Sequence, residues 1–278
     1  MTVLCSIFLC RIVNEEAIFR MYYEKTIKSE DADWILFIHG LGGSIATWKY
    51  QMDAFSDYNI LCVDLQGHGK SAFVKTNHPE NIAANDIHDI LLRENIKSVH
   101  IVALSLGTII AMEFAYLYPD DVKSMTLAGF VLNLNFKRKT LLLMAEVIKY
   151  ILPVKWTYSM FAKLIMPKEN HKLSREIFIR ESLKMTKQSF IAWINILMSS
   201  QKRMKEYIKN INTKHLPVLF VTGTEDYIFK KGVNLLKEKL HDCKFSFINK
   251  CGHVCSIDKK EQFNITVLSF LEILPSAC

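Results

Sequence analysis

Six short apolar runs punctuate the chain, and each stops at glycine or polar residues. They are 34–38 (WILFI), 59–63 (NILCV), 98–104 (SVHIVAL), 122–128 (VKSMTLA), 217–221 (PVLFV) and 244–248 (KFSFI). Their lengths and boundaries predict β-strands. Helical patterns lie between them. In 82–95 the residues Ile82, Ile87, Ile90 and Leu91 give an amphipathic stretch, and 106–117 is apolar throughout, as in a helix buried beneath a site. Pro119 ends that second helix. Strands alternating with helices predict a mostly parallel sheet covered on both faces, an α/β fold. Such sheets bind ligands at the carboxyl ends of their strands. The glycine-rich and charged motifs of this chain all fall there.

The pattern changes at 134–213. Apolar residues recur at helical spacing in LLLMAEVIKYIL, SREIFIRESLKM and SFIAWINILM, with only Pro153 and Pro167 as breakers. This predicts a helical cap, or lid, inserted into a core formed by 1–133 and 214–278. The first residues, MTVLCSIFLCRIV, are apolar but lack a basic start and a small-residue cleavage site, so they are expected to form a first strand rather than a signal peptide. The longest apolar stretch, 141–154, contains Glu146, Lys149 and Pro153, which argues against a membrane span.

Candidate chemistry starts at Ala103-Leu104-Ser105-Leu106-Gly107, which follows a predicted strand and opens a helix. A sharp turn there presents a serine hydroxyl at the top of the sheet, and small residues two before and two after relieve crowding. Alone, the pattern also describes a helix N-cap serine. His39-Gly40-Leu41-Gly42-Gly43 follows another strand, and the N–H groups of Leu41 and Leu106 are the candidate oxyanion donors. Serine needs a base. Of nine histidines, His253 follows the last strand and precedes a final helix, whereas His39 and His68 sit in glycine-rich turns and read as structural. An acid should lie between Ser105 and His253 after a strand. Asp226 and its neighbour Glu225 both fit, while the strand ending in Ala128-Gly129-Phe130 carries no acid.

HGLGGS, DLQGHGKS, ALSLGT, GTED and CGHVCSID, in that order, resemble the α/β-hydrolase superfamily in its small, capped serine esterase branch. The likeness spans about residues 15–275. It implies an eight-stranded, mostly parallel sheet with a helical cap, and it selects Asp226 over Glu225 as the acid. It implies a structural role for Asp64. It further implies that Ser105 attacks a carbonyl, that His253 takes its proton, and that water releases the acyl-enzyme, with no cofactor. A serine at 105 sets the chain apart from the branches that use aspartate there. The departure from the family pattern is Ala103, where glycine is usual.

Composition adds two points. Seven cysteines in irregular spacing imply no disulfide framework and favour a reducing, cytoplasmic setting. Cys251, His253 and Cys255 are close in sequence but lack a second ligand cluster, so no metal is expected. The net charge of +7 is uneven: residues 134–216 hold 17 Lys and Arg against 5 Asp and Glu, and the remainder holds 18 against 23. The basic segment is either a solvated face or an attractor for an anionic partner, such as a charged ester, an acyl group on an acidic carrier, or a membrane surface. No nucleic-acid motif is present. Two functions remain: a carboxylic-ester or thioester hydrolase, and a non-catalytic or slow ligand sensor that binds a partner through its cap.

Overall fold

The computed structural model describes residues 21–76, 79–132, 154–199, 203–240 and 242–274. Among these residues one seven-stranded sheet runs in the order β1-β3-β2-β4-β5-β6-β7. The strands are β1 (Tyr23–Thr26), β2 (Trp34–Ile38), β3 (Asn59–Val63), β4 (Val99–Leu104), β5 (Val122–Ala128), β6 (Val218–Gly223) and β7 (Lys244–Ile248). Only β1 is antiparallel to its neighbour. The expected N-terminal strand lies outside the described residues, as do LLLMAEVIKYIL and the rest of 133–153.

Both faces of the sheet are buried, for the reason the apolar runs suggested. Successive strand residues point to opposite faces. Leu36 and Ile38, Leu61 and Val63, and Ile101 and Ala103 face one core. Ile35 and Phe37, Ile60 and Cys62, and Val102 and Leu104 face the other. On the first face lie α1 (Pro79–Arg93) and α2 (Leu106–Leu117), and on the second lie Trp48, Phe55 and the C-terminal helix.

Helix α1 begins three residues earlier than the pattern gave and stops at Arg93, where Asn95 turns the chain with φ 54°. Strand β6 runs on through Thr222 and Gly223, because these residues pair with Phe247 and Ile248 of β7. The apolar run alone ended at Val221, and the extension comes from that pairing.

Between β5 and β6 the described residues form four helices: α3 (Val154–Ile165), α4 (Lys172–Ser182), α5 (Lys187–Ser199) and α6 (Met204–Lys214). Helix α6 is fastened to α2 through buried Glu113, which accepts from Arg203 at 2.9 Å and from the Tyr207 hydroxyl. The last helices are α7 (Lys230–Lys237), the short α8 (Cys255–Asp258) and α9 (Lys260–Glu272). No helix among the described residues is long and apolar enough to cross a membrane.

Candidate active site

Ser105 sits at the tip of β4 with φ 51° and ψ −115°, a backbone conformation that residues with a Cβ avoid. The surroundings hold it there. Its N–H donates to the Ala128 carbonyl at 2.9 Å, and helix α2 begins at the next residue. Gly107 lets α2 approach the end of β2, since a Cβ at this position would lie 2.4 Å from the Ile38 carbonyl oxygen. Although Ser105 occupies the N-cap position, its side chain makes no capping bond. Its Oγ is instead 2.8 Å from His253 Nε2.

His253 lies on the loop after β7, and its other ring nitrogen, Nδ1, is 2.7 Å from Asp226 Oδ2. Asp226 is fully buried on the loop after β6, and its second oxygen accepts from the Phe229 N–H at 3.0 Å. The carboxylate is therefore held at both oxygens. The His253 ring packs between Gly129 and Phe229, whose ring centroid is 4.8 Å away. The residues singled out at 105, 226 and 253 thus come together from three separate loops. Both nitrogens of His253 are engaged, so a metal shared with Cys251 and Cys255 would have to displace one of these bonds.

Glu225, the neighbouring acid, faces away from the histidine. Its carboxylate accepts from Lys168 Nζ at 2.7 Å and Asn170 Nδ2 at 2.9 Å, and it lies 3.1 Å from His171 Nε2. The bonds from Lys168 and Asn170 hold it down at about 2, so it is ionised at any working pH.

The glycine-rich loop after β2 is braced by two buried imidazoles. His39 Nε2 accepts from the Leu65 N–H at 3.0 Å, and His68 Nε2 accepts from the Gly42 N–H at 3.1 Å. Each Nε2 must therefore be unprotonated, and each Nδ1–H is left to donate to a carbonyl, Gly40 at 2.8 Å and Gln66 at 3.2 Å. Burial lowers both histidines below the ordinary value, His68 well below. Asp64 grips the same region, accepting from the N–H groups of Ile45 and Lys70. Neither the Leu41 nor the Leu106 N–H has a hydrogen-bond partner among the described residues.

A cavity of about 270 Å³ opens above Ser105 and His253. Its far wall comes from α3, α4 and α5, through Phe161, Ile165, Ile177, Phe178 and Leu197. Its near wall includes Leu41, Leu104 and Phe229, and its polar side chains among the described residues are Thr47, Ser105, Ser174 and His253.

A family model described as alpha/beta hydrolase fold matches residues 33–153. Together with the sheet order and the strand-turn-helix at Ser105, this decides the fold. The chain has the α/β-hydrolase fold. Its relatives are distant. A 2-hydroxy-6-oxononadienedioate/2-hydroxy-6-oxononatrienedioate hydrolase from Paraburkholderia phymatum is 23% identical, over 91% of this chain and 91% of its own. Lipase 1 of Psychrobacter immobilis is 24% identical, over 86% of this chain and 77% of its own. Among solved structures, a carboxylesterase from the thaumarchaeon Nitrososphaera gargenis superposes with a TM-score of 0.79 at 18% identity, covering 91% of this α/β-hydrolase chain and 94% of its own.

Some contacts at the site had no sequence signal. Ser44 beside the glycine loop donates to Glu181 of α4 at 2.8 Å, and Glu181 also accepts from Arg180 and Lys184. His171 carries no motif that singles it out in the sequence. It is fully buried against Gly252, where an added Cβ would come within 2.8 Å of its ring.

Proposed function

We propose that this protein is a serine hydrolase of carboxylic esters. Ser105 is the nucleophile, His253 the general base, Asp226 the acid that orients it, and the N–H groups of Leu41 and Leu106 the oxyanion hole. The observation that carries this reading is the continuous relay from Ser105 Oγ through His253 to Asp226, at 2.8 and 2.7 Å, ending on a hydroxyl that makes no competing capping bond. A serine hydroxyl is a weak nucleophile until a neighbouring base takes its proton.

The steps follow from the positions. Ser105 Oγ adds to the ester carbonyl as its proton passes to His253 Nε2. The negative oxygen of the tetrahedral adduct is met by the two N–H groups, each able to lower the barrier by about 3 kcal/mol. The imidazolium, stabilised by Asp226, gives its proton to the departing alcohol. Water then adds to the acyl-enzyme with the same histidine as base, releasing the carboxylic acid. A thioester would pass through the same steps.

The cavity favours an uncharged, aliphatic acyl group. A carboxylate seated against Phe161, Ile165 and Ile177 would lose its hydration with no compensating partner there, a large cost in an apolar wall. The helices between 154 and 199 act as the lid of this pocket. The test is hydrolysis of p-nitrophenyl esters from acetate to palmitate, with Ser105→Ala alongside. Turnover that peaks at one chain length and falls to background in the variant supports the esterase. Saturable binding of an acyl compound without turnover by either protein supports a ligand sensor instead.

A further inference from the structure

Three closely spaced lid residues, Lys168, Asn170 and His171, reach the two loops that carry the acid and the base. Lys168 and Asn170 donate to the Glu225 carboxylate, and His171 is 3.1 Å from it. Asn170 Nδ2 also reaches the Lys250 carbonyl at 3.1 Å. The His171 ring lies flat against Gly252, the residue before His253. The two loops are themselves joined, since the Glu225 N–H donates to the Cys251 carbonyl at 2.9 Å. Glu225 and Gly252 adjoin Asp226 and His253 in sequence, so any shift of either is passed on through one peptide unit. None of Lys168, Asn170, His171 or Glu225 lines the cavity.

We propose that Glu225, held by Lys168, Asn170 and His171, is a positioning residue that sets the Asp226–His253 geometry, so that full reactivity requires this part of the lid to be docked. The inference rests on the triad reading above. A small displacement of a reacting group costs rate without costing substrate binding.

The test uses the full chain and two variants that approach the same contact from opposite sides. Asn170→Leu removes the two lid bonds and leaves every charge on the catalytic loops in place. Glu225→Gln keeps the side-chain shape and removes the charge. Each is expected to lower kcat about 10-fold or more with KM unchanged, and the double variant to be little worse than either single one. The low-field proton resonance of His253 Nδ1–H, measured without substrate, is expected to shift or broaden in Asn170→Leu. Unchanged kcat and an unchanged resonance, with only a lower melting temperature, would make the contact merely structural and overturn the proposal. The resonance also separates the two readings. If no ester is hydrolysed by wild type, the triad reading fails on turnover, while the positioning claim is still decided by the resonance in Asn170→Leu.

Discussion

Asp226 makes the clearest case at the scale of single residues, because each of its oxygens has one task. Oδ2 meets His253 Nδ1 at 2.7 Å, and Oδ1 is kept by the Phe229 N–H at 3.0 Å. Replacing it with asparagine preserves the shape but allows an amide N–H to face the ring, which favours the wrong imidazole tautomer. Asp226→Asn is expected to lower kcat about 10⁴-fold with little change in folding, measurable by ester kinetics beside a thermal melt. The two bracing histidines predict a pH effect. Their Nε2 atoms accept from backbone N–H groups, and burial lowers both below their ordinary value. In the unfolded chain they gain protons below about pH 6.5, before the folded protein does. Their contribution to stability is therefore complete above that pH and declines as the pH falls. The slope approaches about 1.4 kcal/mol per pH unit for each histidine. Melting temperatures between neutral and mildly acidic pH should fall, and replacing His68 with asparagine should flatten the fall.

At the scale of elements, the fastening of α6 to α2 rests on a buried charge. Glu113 is fully buried and is satisfied by Arg203 at 2.9 Å and by Tyr207. Arg203→Met leaves that carboxylate without its cation, and a loss of about 3–5 kcal/mol is expected in chemical denaturation. Glu113→Gln combined with Arg203→Met should recover part of it. These elements also show what the sequence could and could not reveal. Strands β2 to β6 were legible because parallel strands inside the sheet are buried on both faces and read as largely apolar runs, and the edge strand β7 was legible through its phenylalanines and Ile248. Strand β1, Tyr-Glu-Lys-Thr, is a largely exposed edge strand with no apolar signal, and only its pairing with β3 defines it. The candidate site residues could be singled out because glycine-rich turns follow those strands directly. The contact between Ser44 and Glu181 was not legible, since the two are 137 positions apart and meet only in the folded chain.

At the scale of the whole molecule, the basic charge and the pocket are separate features. Lys155, Lys163, Lys172, Lys184 and Lys187 are exposed on the helices between 154 and 199, as are Trp156 and Met160. The pocket beneath is walled by apolar side chains of the same helices. That apolar wall is the ground for the neutral acyl chain proposed above. The departure from the family pattern at Ala103 is accommodated, for that residue is fully buried in β4 and Ser105 still adopts the strained turn. The claim that organises all of this is that Ser105 is an activated nucleophile in a water-poor pocket. An alkyl fluorophosphonate tests it most directly, because it reacts with an activated serine whatever the natural substrate. Stoichiometric labelling that maps to the peptide containing Ser105, and is lost in His253→Ala, is the predicted result. A protein that binds the alkyl chain but leaves Ser105 unlabelled would contradict the account.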